Sequence, residues 1–340
     1  MKRGIIAGKF LPPHAGHSYL IETATSQCDQ LTVLICDRPE YVIPANLRKT
    51  WLEELHPTVN FIVIPDTLDD DDSAGWATAT TKLLGYSPDC VFSSEAYGST
   101  WAKYLGCDHQ LIDLARRHLP ISGTAVRHDP WTNWDYLSPA VRAYFAKRIC
   151  LVGSESSGTT TLTKALAKHY QTSWVPEYGR QYTIDHLPRL DTEGWQTSDF
   201  VTIAKRQNKL EDQAARTTNK LLFCDTDSFA TSIWHQRYMN TRSYEVEASA
   251  AGRRYELYLL TDAGIPFEQD GVRDGEHLRQ SMQQAFIDKL TFWGKPYVLM
   301  TGSKAERLLQ ATTIIDSLMN DTAVKIPNLQ RNHWQTQGGF

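Results

Sequence analysis

Two short strings hold most of the side chains in this sequence that could do chemistry. Gly8-Lys-Phe-Leu-Pro-Pro-His-Ala-Gly-His17 brings together Lys9, His14 and His17, three groups able to carry positive charge, on a backbone stiffened by two prolines. Gly153-Ser-Glu-Ser-Ser-Gly-Thr-Thr160 is a run of small residues and hydroxyls whose backbone N–H groups can converge on one anion. An apolar run precedes each string, at 4–8 and at 148–152, and a stretch of helical periodicity follows, at 16–28 and at 159–170. Strand, loop, helix places loop amides and the positive end of a helix dipole at one spot. A nucleotide phosphate suits that spot. The His pair could instead belong to a metal shell, but no Cys or carboxylate cluster nearby completes one.

The second string departs from the Gly-x-x-x-x-Gly-Lys-[Ser/Thr] phosphate loop in one position. Thr159 stands where the lysine belongs, which removes the ammonium that bridges the β and γ phosphates, whereas Thr160 keeps the hydroxyl expected on Mg²⁺. Either this half only binds nucleotide, or another cation replaces the lysine, with Lys164, Arg180 and Arg273 available. Other chemistry-bearing groups follow in order. Glu177, Tyr178 and Arg180 fall in a predicted loop after a short strand at Trp174. Leu221–Asp225 is a predicted strand ending in Asp225 and, two residues on, Asp227, carboxylates suited to Mg²⁺ or its water shell and to accepting a hydroxyl proton. Residues 266–274 form a charged loop suited to a lid that carries Arg273 over phosphates. Gln207 and Arg206, on a predicted helix, either face substrate or belong to a core stripe with a polar back.

Weaker signals lie in the first half. Arg48, at the start of a predicted helix beside Trp51, either reaches a substrate phosphate or sits at the surface. Trp76 and Trp101 either stack on a cationic ring or pack. The four aspartates at 69–72 read as a solvated loop rather than a Mg²⁺ site, because like charges repel when buried.

The elements that must position these groups alternate. Strands are predicted at 4–8, 31–36, 60–64, 89–92 and 109–112, with helices at 46–55, 74–84 and 97–105 between them. That is an α/β pattern with a parallel sheet, whose ligands bind at the carboxyl ends of its strands. A second strand–loop–helix beginning at 148 starts a second α/β domain. The predicted boundaries are 1–147, 148–326 and a loose tail at 327–340. The length of 340 residues suits two cores better than one. The net charge of −4 falls entirely on residues 1–147, with 13 Lys+Arg against 17 Asp+Glu, while 148–340 carry 22 of each. Neither half has the basic excess of a nucleic-acid binder. The six cysteines contain no Cys-x-x-Cys pair, and no apolar run approaches a membrane span. A cytoplasmic protein with free thiols and no membrane insertion is expected.

The string Gly8-Lys-Phe-x-Pro-x-His-x-Gly-His17, with Ile121-Ser-Gly-Thr-Ala-Val-Arg127 about a hundred residues later, resembles the two signatures of the Rossmann-like nucleotidyltransferases. That resemblance implies ATP held by Gly8, Phe10, Gly16, Ser122 and Thr124, with Lys9, His14, His17 and Arg127 stabilising the transferring phosphate. Taken with Glu-Tyr-Gly-Arg180, Asp-Thr-Asp227 and Asp-Gly-Val-Arg273 behind a phosphate loop, nearly the full chain resembles the bifunctional NadR-type family. The resemblance implies a Rossmann-like nicotinamide-nucleotide adenylyltransferase followed by a P-loop ribosylnicotinamide kinase. It implies ATP, nicotinamide mononucleotide, nicotinamide riboside and NAD as small-molecule partners, and Mg²⁺ held by Thr160 and Asp225. The rear ATP site would comprise Gly153, Ser154, Glu155, Ser156, Ser157, Gly158, Thr159, Thr160, Thr161 and Arg273. Asp225, Asp227 or Glu177 would position the attacking hydroxyl, and residues 302–307 would cradle the adenine. Arg48, Trp76, Tyr178 and Arg180 are expected near substrate. Some members of the family carry an N-terminal helix-turn-helix that represses transcription; because this sequence starts at the catalytic strand, no DNA-binding role is expected. The rival expectation is an active adenylyltransferase with a catalytically dead, nucleotide-sensing rear domain. A different phosphorylated substrate for the front half and assembly into a homo-oligomer are both left open.

Overall fold

The computed structural model describes residues 1–269 and 275–320. Arg273 and the stretch 327–340 lie outside the described residues. The chain divides into two compact units, Met1–Val141 and the part from Arg142 onward.

The first unit runs β1 (Arg3–Gly8), α1 (Ala15–Thr25), β2 (Gln30–Asp37), α2 (Ala45–Leu55), β3 (Asn60–Pro65), α3 (Ser73–Leu84), β4 (Cys90–Ser93), α4 (Tyr97–Leu105), β5 (Asp108–Leu111) and α5 (Gly123–His128), with α6 (Pro139–Phe145) spanning the division. Its five strands are parallel in the order β3-β2-β1-β4-β5. The inner strands are apolar on both faces, as helix-covered parallel strands must be. Ile6, Val33, Ile35 and Phe92 pack on Leu20, Ile21 and Leu52 on one side, while Ile5, Leu34 and Val91 pack on Ala77, Trp101 and Ala102 on the other. Strand order reverses at β1, since β2 and β3 lie to one side of it and β4 and β5 to the other. The crevice outside its carboxyl end is where such sheets take ligands, and the Lys9–His17 string leaves β1 into it.

The second unit is also a helix-covered parallel sheet but with a different strand order; it runs β6 (Lys147–Gly153), α7 (Thr159–His169), β7 (Trp174–Val175), α8 (Tyr178–Glu193), α9 (Thr197–Ala215), β8 (Leu221–Asp225), α10 (Ser228–Met239), α11 (Tyr244–Ala250), β9 (Leu257–Thr261), α12 (Arg279–Phe292), β10 (Tyr297–Met300) and α13 (Lys304–Met319). The sheet is parallel in the order β10-β9-β6-β8-β7. Val152, Leu222 and Leu260 face Phe229 of α10 and Phe286 of α12; Leu151, Phe223 and Leu259 face Leu166 of α7 and Ile315 of α13. Each such fully buried side chain contributes about 1.5–3 kcal/mol. All six cysteines are free thiols.

The expected strands and helices occur, with shifted ends. Asp89, expected in β4, instead precedes it and accepts the Arg3 N–H at 2.7 Å. Tyr255, expected in β9, precedes that strand and donates its hydroxyl to Glu211 at 2.7 Å. The largest difference is at residues 177–180, expected as a loop. Glu177 is the N-cap residue of α8, and Tyr178 and Arg180 sit in its first turn. The Tyr178 N–H, which that turn leaves unpaired, donates to the fully buried Gln207 Oε1 at 3.0 Å. Gln207 therefore faces the core and joins α9 to α8. Among the described residues no helix is long and apolar enough to cross a membrane.

Candidate functional site

In the first unit the chain leaves β1 through Lys9 and Phe10, whose φ of +46° turns it sharply, and enters α1 at Ala15. The Phe10 side chain is buried in the core against the sheet, 4.8 Å from the His17 ring, so only its backbone faces the loop mouth. His14 is the N-cap residue of α1 and its ring stacks on that of His17, centroids 3.8 Å apart. A Cβ on Gly16 would come within 3.1 Å of the His14 ring and 3.3 Å of Ile121, so glycine lets the second signature close on the first. The His17 Nδ1 accepts the His14 backbone N–H at 3.3 Å, which leaves the ring proton on Nε2. His14 is 7 % exposed, and among the described residues neither of its ring nitrogens has a hydrogen-bond partner.

Burial, then the charges of Arg116 and Arg127, lower the His14 pKa to about 4. Burial, then His14 and Arg116, hold His17 well below its ordinary value. The expectation of three cations is thereby corrected: near neutral pH both imidazoles are uncharged donors, because the pocket that stacks them also desolvates them. Lys9 is exposed and lies 3.5 Å from Asp70 of the acidic run.

Arg127 ties the two signatures together. Its guanidinium donates to the Leu11 carbonyl at 2.8 Å and to the Thr124 hydroxyl at 3.0 Å, while Ser122 caps α5 by accepting the Ala125 N–H. Sequence reasoning missed Arg116, the second cation beside the histidines. It sits at φ +49° in a turn that Asp113 organises by accepting the Arg117 and His118 N–H groups, and it pairs with Glu95 at 3.6 Å. The one signal for it was a basic pair just past the last strand, at the ligand edge of the sheet.

Three first-unit expectations are corrected or narrowed. Arg48 neither reaches out to a phosphate nor lies at the surface. It is fully buried, donating to the carbonyls of Ile43, Lys9 and Cys36 and pairing with Asp37. It therefore anchors the Lys9 end of the loop to the end of β2. Trp101 is 2 % exposed and part of the core. Trp76 is half-buried against the same cluster and donates its indole N–H to the Asp69 carbonyl at 3.1 Å. The acidic run is the loop before α3, which Asp72 caps through the Gly75 N–H.

In the second unit the string after β6 forms a loop around a cleft of about 210 Å³. Gly158 at φ +89° makes the turn into α7. Three arginines hold the loop from behind. Arg279 donates to the Ser156 carbonyl at 3.3 Å, Arg307 to the Ser157 carbonyl at 2.6 Å, and Arg237 to the Glu155 carboxylate at 3.0 Å. Ser157 is buried and bonds the Ser154 carbonyl and Thr261, and Ser156 accepts the Glu268 N–H. With these carbonyls occupied, the loop amides are the groups left for an anion. Arg307, expected near an adenine, is instead 3 % exposed and paired with Asp262; Lys304 of the same segment lines the cleft.

Thr160 donates its hydroxyl to Asp225 Oδ2 at 2.5 Å. Asp225 is 2 % exposed, and desolvation raises its pKa against the opposing pull of the Thr160 and Thr159 hydroxyls and the charges of Lys164 and Arg180. One hydroxyl and one carboxylate at a phosphate loop fit a Mg²⁺ ion that takes its remaining ligands from water and phosphate. Among the described residues no group of three His, Cys, Asp or Glu side chains could hold a metal by itself. The expectation for Asp227 is corrected: it is fully buried, caps α10 through the Ala230 N–H at 2.8 Å and accepts the Tyr258 hydroxyl at 2.8 Å. Thr226 between them, at φ +69°, breaks the run of the strand, so Asp227 does not share the cleft that Asp225 faces.

The rest of the cleft wall includes Glu177, the N-cap of α8, and Gly179, Arg180 and Thr183 of that helix, together with Trp195, Phe200, Trp234 and Tyr238. Tyr178, expected near substrate, is not part of this wall; its ring lies by Arg206 and Tyr182. Trp234 and Tyr238 share a face of α10 at i,i+4, but the group as a whole was not legible in the sequence, because Trp195 and Phe200 join it from the segment before α9 and from α9. Trp195 lies 4.9 Å from Phe200 and 5.1 Å from Tyr238.

A family model described as an AAA domain matches residues 148–307, the segment that holds this loop. The Trifunctional NAD biosynthesis/regulator protein NadR of Escherichia coli (strain K12) is 30% identical over 313 residues, covering 84% of this chain and 76% of that protein. Its counterpart from Salmonella typhimurium is 29% identical over 311 residues with the same coverage. A solved structure of a NadR protein in complex with NR superposes with a TM-score of 0.78 at 21% identity, covering 97% of this chain and 99% of that one. A NadR protein in complex with NAD and AMP-PNP gives 0.76 at 20% identity, covering 96% and 97%. With 30% identity to a NadR protein over 84% of its length, the chain belongs to the NadR family.

Proposed function

We propose that the protein makes NAD in two ATP-dependent steps: the second unit phosphorylates nicotinamide riboside, and the first transfers an adenylyl group from ATP to the resulting mononucleotide, releasing pyrophosphate. The observation that carries this reading is the presence on one chain of two separate phosphate cradles, each at the carboxyl edge of its own parallel sheet. The reading agrees with the names of the relatives, which are NAD biosynthesis/regulator proteins, and with the NR, NAD and AMP-PNP bound by the solved neighbours.

In the first unit the mononucleotide phosphate attacks the α-phosphate of ATP directly, so no nucleophile of the protein is required. Catalysis is alignment and charge stabilisation. The α1 N-terminus, the His17 Nε2–H, the one ring N–H of neutral His14, Lys9 and Arg127 supply donors at this loop, with Ser122 and Thr124 at the second signature. In the second unit the riboside 5′-hydroxyl attacks the γ-phosphate. Asp225 is committed to Thr160, so Glu177 on the cleft wall is the group suited to orient the hydroxyl and take its proton. Mg²⁺, held at Thr160 and Asp225, would neutralise charge on the β and γ phosphates. The aromatic wall at Trp195, Trp234 and Tyr238 suits a pyridinium ring, an attraction of about 0.5–2 kcal/mol.

Incubating the full chain with ATP and each substrate, and resolving products by chromatography, tests both steps; absence of NAD from mononucleotide and ATP would remove the first. The second reading, a rear unit that binds nucleotide without turning it over, is favoured by Thr159 in the lysine position. It predicts ATP binding by calorimetry with no phosphorylation of the riboside.

A further inference from the structure

We propose that Arg180 supplies the positive charge that the phosphate loop omits at Thr159. This inference rests on the kinase reading above and concerns how that reaction proceeds without the loop lysine. The basic side chains around the loop divide by position. Arg279, Arg307 and Arg237 bind the loop itself, at the carbonyls of Ser156 and Ser157 and at the Glu155 carboxylate. Two basic residues, Arg180 and Lys304, line the cleft among the described residues.

Sheet order separates those two. The loop leaves β6, and the Thr160–Asp225 pair marks the side of β6 on which β8 lies. Arg180 follows β7, the next strand beyond β8, so it stands on the Asp225 side. Lys304 follows β10, beyond β9 on the opposite side. Phosphoryl transfer occurs where the hydroxyl and carboxylate meet, which places Arg180 and not Lys304 across from the γ-phosphate position. Two rivals remain: Arg273, which lies outside the described residues, and Lys164, one helical turn after Thr160. Lys164 acts on Asp225 as Arg180 does, but it is not part of the cleft wall, and its ammonium lies 5.2 Å over the Trp174 ring.

A guanidinium reaching in from another helix does what a loop lysine does, neutralising charge on the transferring phosphoryl oxygens, and its fork adds bidentate geometry. It also makes the charge independent of the loop's own conformation.

The test uses full-length protein, with ATP-dependent phosphorylation of nicotinamide riboside as the readout. Arg180→Ala is expected to lower kcat by at least about 10²-fold, the scale of one lost transition-state donor. Arg180→Lys, which keeps the charge, is expected to stay within about tenfold of wild type and guards against a folding defect. Thr159→Lys added to Arg180→Ala is expected to recover at least about tenfold over Arg180→Ala alone, because the ammonium returns to the loop. A merely structural Arg180 would not be rescued from position 159. If wild type turns over and Arg180→Ala stays within about threefold of it, or Lys164→Ala or Arg273→Ala is the variant that loses activity, the assignment to Arg180 is overturned and the kinase reading stands. If wild type phosphorylates no riboside, the kinase reading falls and takes this inference with it.

Discussion

The rings of His14 and His17 lie stacked 3.8 Å apart at the start of α1, and the second accepts the backbone N–H of the first. Two imidazoles this close, buried and beside Arg116 and Arg127, are held neutral. Their contribution near pH 7 is hydrogen-bond donation from fixed positions. Replacing His17 with Ala is expected to lower adenylyl transfer by at least about 10²-fold, the scale of one lost stabilising donor. Steady-state NAD formation from mononucleotide and ATP measures it, and near-normal turnover would refute the assignment.

The depressed pKa of His14 also makes stability depend on pH. With a folded value of about 4 against the ordinary 6.5, the unfolded chain binds more protons throughout that interval, so stability rises with pH across it. The contribution is complete above pH 6.5 and is lost as pH falls toward 4. Its size is about 2 kcal/mol lost by pH 5 and about 3 kcal/mol by pH 4. Urea unfolding of the wild type at pH 7 and pH 5 is expected to show a larger acid loss than His14→Gln; equal losses would show that His14 titrates normally.

Arg48 is expected to be a folding residue. Arg48→Ala would strand three buried carbonyls and leave Asp37, one-third exposed, without its partner. Breaking a buried pair costs about 3–5 kcal/mol, and the partial exposure of Asp37 favours the lower end. Arg48→Lys should recover little, since one ammonium cannot reach acceptors arranged around a planar fork. Denaturant midpoints of the three proteins check both points.

The two aspartates after β8 are expected to separate sharply. Asp225→Asn removes the carboxylate that Thr160 holds and should reduce riboside phosphorylation by at least about 10²-fold with the fold intact. Asp227→Asn keeps an N-cap and should cost about 1 kcal/mol of stability, with kcat within about tenfold of wild type. Comparable loss of kcat in both variants would return Asp227 to the reaction.

Much of this protein was legible along the chain because its causes are local. Apolar runs bounded by glycine-rich strings give β1 and β6, helical spacing gives α1 and α7, and alternation of the two implies parallel sheets whose carboxyl edges carry both phosphate loops. What the linear order left undecided was direction and protonation, since both depend on what arrives from elsewhere. Arg48 is buried because three carbonyls from separate segments converge on it, and Asp227 turns inward to the hydroxyl of Tyr258 on β9, two strands across the sheet from β8. His14 and His17 lose their charge because residues a hundred positions away close over them. The aromatic wall of the second cleft assembles from α10, α9 and the segment before α9, which only folding brings together. Residue type and spacing fix which chemistry is available; desolvation and partner geometry, which exist only after folding, decide which of those groups face a ligand and in what charge state.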